Sequence, residues 1–385
     1  MVLRLPNRKS ILIMKEIKSL TLLLVVTAMA CSPEKPQEEK ELSADSSEIV
    51  RIKPIYTTDT VRYDTDDPAV WINYQEPSKS LIIGTDKDED GSLYVFDLKG
   101  NEIKEKTIKG LKRPNNVDVE YGLALKGDLV DIAVVAERMT GMLRVYSLPD
   151  MTVIDNGGIP VFEGETGPEY RDLMGIAMYR RPSDGAIFAI AGRKNGPTEG
   201  SYLWQYLLED DGSGFVKASL VRKFGSFSGK KEIEAIAVDD ELGYVYYSDE
   251  QFGVRKYYAN PEKGDEELAL IDTKHYLEDN EGISIYAGKD GTGYILISDQ
   301  SANKFWIYTR EGTPENPQDH QVVKVVDVST ISSDGSETVN YPLGEDFPNG
   351  LFVAMSEGRT FQIYRWEDIA GSDLTITPPQ ALQTK

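Results

Sequence analysis

The chain has 385 residues, and 64 aspartate and glutamate residues against 42 lysine and arginine residues give it a formal net charge of −22. This length allows one large domain or two ordinary ones, and the acidic balance argues against binding to nucleic acid or acidic lipid, which need a basic surface. One cysteine and two histidines exclude a disulfide framework and a cysteine-ligated zinc site, and leave little scope for histidine chemistry.

The first 30 residues have the pattern of an export signal. Basic residues up to Lys18 precede the apolar run LTLLLVV at 20–26 and then small residues, which is the order of a secretory signal peptide too short to span a bilayer. Cys31 follows directly, at the position where bacterial lipoproteins are lipidated. Residues 1–30 therefore predict a lipoprotein signal peptide. An ordinary secretory signal with an incidental cysteine is the alternative.

The segment that begins at Cys31 is predicted to connect the lipid anchor to the folded domain. Residues 31–48 are polar and rich in proline and glutamate, which predicts a flexible acidic tether, and the folded domain is predicted over 49–385. We expect an exported lipoprotein on the periplasmic or cell-surface face of the outer membrane, attached only through the lipid on Cys31.

Two series of short, alternating apolar segments repeat along the rest of the chain. The first series starts at Leu81, Asp131, Ala186, Tyr244, Tyr294 and Leu351, at intervals of 50 to 58 residues. The second series is richer in aromatic residues and starts at Leu93, Leu143, Tyr202, Val254, Phe305 and Phe361, at intervals of 50 to 59 residues. Two series with a common spacing indicate a repeated supersecondary unit.

Each unit has room for four strands. An apolar strand entered through an acidic residue precedes the first series in five units, at Asp67, Asp118, Asp172, Glu234 and Glu281, and the sixth unit is less regular. A fourth strand follows in most units, near Ile103, Val216 and Val322, whereas the segment 49–56 has no partner nearby. We predict an all-β, six-bladed β-propeller with four-stranded antiparallel blades, closed by the N-terminal strand. A two-sheet sandwich is the alternative, although it would not need repeats of this length.

This topology gathers the charged strand ends at one mouth of the ring. Because the first two strands of a blade are antiparallel, the start of the first lies beside the end of the second. The predicted neighbours are Asp66 and Asp67 with Lys87, Asn116 and Asp118 with Arg138, Asp172 with Arg193 and Lys194, Glu234 with Asp249 and Glu250, and Asp279 and Glu281 with Asp299 and Gln300. Three blades thus supply cations beside acids, and the next two supply almost only carboxylates.

This arrangement of charges at the mouth predicts a site that binds an anion with the help of metal ions. Clustered carboxylates repel one another unless hard cations neutralise them, and a set of oxygen ligands without histidine or cysteine favours calcium over zinc. Calcium on one side and lysine or arginine on the other would suit a multiply charged oxyanion, phosphate foremost. Any single acidic residue at a strand entrance is more simply a solvated turn, so the prediction depends on the repetition in five units.

Several motifs resemble those of the β-propeller phytases, over roughly Asp59 to Ala370. They are DTDDPAVW (64–71), NNVDVEYG (115–122), the stretch at 234–246, DNEGISIY (279–286), GYILISDQS (293–301) and LGEDFPNGLFVA (343–354). The resemblance implies a six-bladed propeller that hydrolyses phytate, myo-inositol hexakisphosphate, in a calcium-dependent way. It also implies several calcium ions that bridge substrate phosphates, a metal-activated water that attacks phosphorus, and one cleavage site beside one affinity site.

The resemblance also implies roles for individual residues. The residues that match calcium ligands are Asp66, Asp67, Asn116, Asp118, Glu234, Glu250, Asp279 and Glu281, with Gln300 as a polar companion. Lys87 and Arg138 match the cations that grip phosphate and stabilise the charge developing on its oxygens. Glu250 is expected to orient or deprotonate the attacking water.

This chain departs from the family pattern in its third unit. Met174 stands where a tyrosine is common, and Arg193-Lys194 stands where the family has a lysine-glutamate pair. We expect Arg193 and Lys194 either to bind substrate at the affinity site or to be ordinary surface charges. His275 and His320 are expected at the surface. The loop DKDEDG at 86–91 imitates an EF-hand, but a strand follows where a helix is needed, so only a surface calcium loop is kept as an option.

Three function classes follow. The favoured one is a calcium-dependent phytase that binds phytate as its calcium complex, acts as a monomer and has no nucleic-acid partner. A propeller hydrolase of another phosphate ester or of a lactone is the second, and a non-catalytic envelope propeller that only binds ligands is the third. The lack of histidine and cysteine motifs argues against a covalent phospho-enzyme on those residues.

Overall fold

The computed structural model describes residues 51–376. The predicted signal peptide, Cys31 and the tether at 31–48 lie outside the described residues. Within the described part of the chain, no helix is both long enough and apolar enough to cross a bilayer.

Strands rich in β-branched and aromatic residues form six antiparallel sheets, here called blades one to six. The chain enters through β1 (Tyr56–Thr57), and blade one follows as β2 (Thr65–Trp71), β3 (Leu81–Asp86), β4 (Gly91–Phe96) and β5 (Ile108–Leu111). Blade two contains β6 (Pro114–Leu125), β7 (Asp128–Glu137) and β8 (Met142–Leu148), and both β9 (Thr152–Val153) and β10 (Ile159–Pro160) pair with β8. Blade three contains β11 (Leu173–Arg180), β12 (Ile187–Arg193), β13 (Leu203–Asp210) and β14 (Val216–Phe224).

The remaining blades repeat the same order from the inside of the ring outward. Blade four contains β15 (Ile236–Asp239), β16 (Tyr244–Asp249), β17 (Gly253–Tyr258) and β18 (Ala269–Ile271). Blade five contains β19 (Asn280–Ala287), β20 (Gly293–Asp299), β21 (Lys304–Thr309) and β22 (Val322–Asp327). Blade six contains β23 (Ser336–Val339), β24 (Leu351–Ser356) and β25 (Thr360–Arg365). The predicted six-bladed propeller is confirmed.

Helices are short in the described residues. The α-helix α1 (Trp366–Ala370) follows β25, and 3₁₀ turns cover Pro77–Lys79, Pro261–Lys263, Lys289–Gly291 and Gln300–Ala302. This agrees with the lack of long amphipathic patterns in the sequence.

The N-terminal strand closes the ring, as predicted. β1 pairs antiparallel with β25, with Tyr56 opposite Ile363, and so becomes the outer strand of blade six. The strand is shorter than predicted: it contains only Tyr56, the last residue of the predicted segment 49–56, and the next residue, Thr57. Ile52, earlier in that segment, forms an isolated bridge with Val328. Pairing the two ends of the domain joins the first and last parts of the chain in one sheet.

The core lies between the blades. Each of six apolar clusters joins two adjacent blades, as in the cluster that packs Val134 and Ala136 of blade two against Ile176 and Ala189 of blade three. Packing blade faces in this way holds the inner strands, and therefore the mouth, in fixed positions.

One strand position differs from the sequence prediction. Blade one has its fourth strand at Ile108–Leu111, whereas the segment near Ile103 forms only an isolated antiparallel bridge to β4, in which Glu102 pairs with Phe96 and the Ile103 amide donates to the Val95 carbonyl. A turn at 104–106 follows, closed by the Lys106 amide, which donates to the Ile103 carbonyl at 2.9 Å, so the outer strand begins later than its sequence pattern indicated.

Candidate active site

Irregularities at the start of the inner strands place the acidic residues at the mouth. The register of β2 shifts between Thr65 and Pro68, and that of β19 shifts between Asn280 and Ile283. Corresponding shifts occur in β6 and β11. A bulge re-aims side chains at the rim of a sheet. Asp66 and Glu281 lie in these bulges and reach the same pocket, which they line together with Asn116, Glu234 and Asp334.

The first group of acids surrounds Lys87, which directly follows β3. The Lys87 ammonium pairs with Asp66, and its Nζ lies 3.7 Å from Glu234 Oε1 and 3.8 Å from Asp334 Oδ2. Asn115 Nδ2 donates to Glu234 Oε1 at 2.5 Å. Acids from blades one, four and six thus share one buried cation, because the inner strands of all blades start at this mouth.

The second group contains Glu250, Asp279 and Glu281. One carboxylate oxygen from each lies within 4.8 Å of the others, and Glu250 forms a comparable set with Glu232 and Glu234. Lys231 Nζ lies 2.6 Å from Glu250 Oε2, in the middle of this group. Glu250 therefore links the two groups. Gln300 Nε2 donates to Glu281 Oε2 at 3.2 Å and also to Asp334.

Several carboxyl groups of the mouth have shifted pKa values. Burial raises the pKa of Glu250 to about 8, and burial together with Asp334 and Glu250 raises the pKa of Glu281 to about 11. Burial and the neighbouring Glu234 raise the pKa of Asp66. Burial is the largest influence on Glu234 and would raise its pKa, but the Lys87 ammonium, the hydrogen bonds with Asp66 and Asn115 and the Arg138 charge together hold that pKa below its ordinary value. The lysines alone thus leave several acids without enough positive charge to ionise fully.

Unpartnered oxygens support the same conclusion. Asp66 Oδ2, Glu250 Oε1 and Asn116 Oδ1 are buried and accept no hydrogen bond from the described residues. Buried carboxylate and amide oxygens normally have partners, and those without one are suitable ligands for a hard cation. The donor set of the mouth therefore fits a metal ion.

Two of the predicted metal ligands lie deeper, along the axis of the ring. Asp67 and Asp118 line a channel cavity of about 120 Å³, together with Asn116 and Glu337. Asp67 Oδ2 accepts from the Val117 amide at 3.1 Å. Asp118 Oδ2 accepts from the Met178 amide at 2.7 Å, and burial raises its pKa to about 6. Asn116 lines both the mouth pocket and the channel.

Comparison with known proteins identifies the family of the chain. Residues 11–375 match the model of the family described as Phytase. The chain belongs to the phytase family. The 3-phytase of Bacillus subtilis (strain 168) is 29% identical to it over 367 residues, which cover 91% of this chain and 90% of that protein. Hydrazine synthase of Kuenenia stuttgartiensis superposes with a TM-score of 0.47 at 16% identity, over 79% of this chain and 84% of that one. Membership of the family makes this protein an enzyme, a phytase.

The cations predicted for the phytase lie in different surroundings. Arg138 is largely buried, its Nη2 lies 3.9 Å from Asp172 Oδ2, and its charge helps to lower the pKa of Glu234. Lys194 is partly exposed and pairs with Glu232 Oε2 at 2.6 Å. Both cations are thus coupled to acids of the mouth.

Arg193 lies apart from the mouth groups and is not a surface charge. Its side chain is fully buried and pairs with Glu165 Oε2 at 3.1 Å. It donates to the carbonyls of Tyr202 at 3.0 Å and Ser201 at 2.6 Å. The guanidinium is therefore committed to holding the loops of blade three. Met174 is buried as well.

One histidine expectation is wrong. His320 is buried and not at the surface. Its ring Nδ1 contacts the Thr309 carbonyl at 2.7 Å, and its Nε2 contacts Lys256 Nζ at 3.1 Å. His275 is exposed, as expected, and pairs with Asp272.

Four mouth residues of the phytase were missed by the sequence reasoning: Asn115, Lys231, Glu232 and Asp334. Asp334-Gly335 precedes β23 as Glu281-Gly282 lies at the start of β19, so the acid-glycine pair was the available signal. It was obscured because the inner strand of blade six is short. Nothing in the local sequence marks Lys231, which reaches the acids from a loop.

Proposed function

We propose that this chain hydrolyses the phosphomonoesters of phytate in a calcium-dependent way and releases inorganic phosphate. The observation that carries the proposal is the convergence of acids from different blades around Lys87 and Glu250, with oxygens left unpartnered. Membership of the phytase family and the likeness to a 3-phytase support phytate as the substrate.

Calcium is the metal that best fits these ligands. The proposed oxygen ligands are Asp66, Asp67, Asn116, Asp118, Glu234, Glu250, Asp279 and Glu281, and Asp334 and Gln300 complete the mouth. They offer only carboxylate and amide oxygens, which suit a hard cation with a high coordination number. When bound, calcium would supply the positive charge that keeps these acids ionised and attracts phosphate oxygens.

The chain's own residues account for the remaining chemistry. Lys87 and Arg138 take phosphate oxygens and stabilise the charge that develops on them, and the planar guanidinium of Arg138 can hold two oxygens at once. Glu250 orients the attacking water and accepts its proton as the new bond to phosphorus forms, while the bond from phosphorus to the inositol oxygen breaks and that oxygen takes a proton from solvent water. Lys194, next to Glu232, binds a second phosphate of the same substrate. We assign Arg193 a supporting role in blade three instead of a substrate contact.

The test is phosphate release from phytate with calcium and after chelation, for the unaltered chain and for Glu250→Gln. We expect chelation to abolish release and Glu250→Gln to lower kcat by about 10²–10⁴-fold, because the proton acceptor is lost. Glu311→Gln, an exposed glutamate, is the matched control and should leave kcat unchanged. Equal turnover in all these conditions would contradict the proposal.

A substrate panel defines the specificity. Phytate, a phosphodiester and a lactone are compared at equal concentration, and we expect hydrolysis of phytate alone. Preferred hydrolysis of another compound would transfer the proposal to that substrate class while keeping the same site.

The proposal includes the cellular setting. We propose that the chain is exported, is anchored to the membrane through a lipid on Cys31 and acts as a monomer. Mass spectrometry of the mature N-terminus tests for the lipid on Cys31. A Cys31→Ser variant should lack the lipid and be released in soluble form. An unmodified mature N-terminus in the unaltered protein would exclude the anchor.

A further inference from the structure

A lysine ammonium occupies the centre of the second carboxylate group. The Nζ atom of Lys231 lies 2.6 Å from Glu250 Oε2 and 3.0 Å from Asp279 Oδ2. It also lies 3.3 Å from Glu281 Oε1. These are the same three acids whose oxygens come within 4.8 Å of one another. One cation of the chain therefore contacts every member of a group that could hold a metal.

Lys231 and Lys87 differ in their access to solvent. The Lys231 side chain is 33% exposed and comes from the loop between β14 and β15, whereas the Glu250 side chain beneath it is fully buried. Lys87 is only 14% exposed and has its own set of acids. Of the two lysine side chains, that of Lys231 is the more exposed to water.

A divalent cation and the Lys231 ammonium cannot contact the same three carboxylates together. Lys231 Nζ lies within 3.3 Å of one oxygen of each acid, so a divalent cation held by the same three acids would lie close to the ammonium and the like charges would repel. Glu250 and Glu281 are buried, whereas the Lys231 side chain is partly exposed, so the lysine has more freedom to move away than these two carboxylates have. Occupancy by a metal therefore requires the lysine side chain to leave.

We propose that Lys231 is an internal competitor for the metal at the Glu250, Asp279 and Glu281 group. Without metal its ammonium balances the charge of the three acids, and calcium binds there only by displacing it toward solvent. Lys231 thereby sets the calcium concentration at which the mouth is filled. This inference rests on the proposed function for the identity of the metal.

The first test is calorimetric titration of metal-stripped protein with calcium. Lys231→Gln removes the competitor, so we expect the affinity of the weakest calcium site to rise by at least about fivefold, as for other coupled sites. Lys231→Arg keeps the charge and should bind calcium as the unaltered chain does. Lys230→Gln is the matched control, since Lys230 is exposed and donates to the Gln251 carbonyl at 2.9 Å outside the group. Unchanged or weaker binding by Lys231→Gln would overturn the proposal.

The second test needs no variant. The unaltered protein is treated with an amine-acetylating reagent, with calcium or with chelator, and labelling is read by mass spectrometry. Displacement predicts faster labelling of Lys231 with calcium and no change at Lys230. Slower or equal labelling of Lys231 with calcium would overturn the proposal. A calcium-independent phytase activity would refute the proposed function, whereas binding and labelling decide the role of Lys231 separately.

Discussion

At the scale of single residues, burial decides what each charged group can do. The mouth holds acids that the lysines only partly neutralise, whereas the buried Arg193 is fully used in pairing with Glu165 and with backbone carbonyls. A lysine or arginine in the sequence is thus a phosphate ligand only where the fold leaves its cation near the mouth. Sequence position alone did not separate Lys87 from Arg193.

Buried charge outside the mouth is represented by Lys256 and His320. Burial lowers the pKa of Lys256 to about 8, and burial together with the Lys256 charge lowers the pKa of His320 to about 4. The Lys256 ammonium donates to Nε2 of a neutral imidazole, and we assign the ring hydrogen to Nδ1, which faces the Thr309 carbonyl. The pair is stable only while His320 stays neutral.

The His320 contact predicts a pH dependence of stability. The unfolded histidine titrates near pH 6.5 and the folded one near 4, so the unfolded chain binds the extra proton between these values. The contribution of up to about 3 kcal/mol to the free energy of unfolding is fully present above pH 6.5 and is lost as pH falls toward 4. Denaturant unfolding of metal-stripped protein from pH 4 to 7 measures it.

The expected signature is a smaller pH slope in His320→Gln, which cannot take up the proton. His275→Gln alters an exposed histidine and should keep the slope of the unaltered chain. If His320→Gln and the unaltered chain had the same slope, the assignment of a depressed pKa to His320 would be wrong.

At the scale of elements, glycines at the inner strand ends let the blades meet. A Cβ on Gly175 would overlap the Glu234 carbonyl of the next blade, and one on Gly282 would overlap the Asp334 carbonyl. Gly335 lies in the same way against Asp66 and Asp67, and its amide donates to the Asp66 carbonyl at 3.0 Å. A small residue at these positions brings acids of neighbouring blades within reach of one cation.

Gly282→Ala tests this role. The added methyl group must push blade five from blade six at the Asp334 carbonyl, which we expect to lower the free energy of unfolding by about 1–3 kcal/mol. It should also weaken calcium binding, since Glu281 and Asp334 move apart. Chemical denaturation and calorimetric titration measure the two effects.

Gly192→Ala is the comparison for this prediction. Its Cβ would meet the end of the Ile236 side chain at 3.1 Å and the Ile233 carbonyl at 3.3 Å, both farther away than the Asp334 carbonyl is from a Cβ on Gly282. We expect a smaller loss of stability and unchanged calcium binding. Equal losses in both variants would show that the Gly282 position has no particular link to the mouth.

At the scale of the whole molecule, the ring brings distant segments to one site. Asp66 and Asp334 are far apart in the sequence, in the first and last blades, yet both contact Lys87. They meet because blade six closes against blade one. A metal bound between blades would therefore link parts of the chain that separate on unfolding. Ligand that binds only the folded state raises its stability by mass action.

Calcium should therefore raise the melting temperature. A calcium concentration of 100 times the dissociation constant adds about 2.7 kcal/mol to the free energy of unfolding. Scanning calorimetry with calcium, with magnesium and with chelator measures the shift, and we expect the largest increase with calcium. The same melting temperature with calcium and with chelator would count against metal ions between the blades.

The repeat pattern of the sequence by itself determined the fold of this protein. The recurrence of alternating segments predicted six blades and closure by the N-terminal strand, because strand alternation and repeat length are local properties of sequence. The same topology correctly predicted that strand ends such as Lys87 and Glu250 would meet the acids at the start of inner strands. The phytase family was indicated separately, by the resemblance of the motifs to those of the family.

Tertiary structure alone decided which charges contact which. Lys231 reaches Glu250 from a loop, Asp334 enters from the least regular blade, and Arg193 turns away to Glu165, although its sequence position resembles that of Lys87. These differences depend on side-chain direction, burial and the approach of neighbouring blades. No local pattern encodes them, because each arises from contacts between segments far apart in the chain.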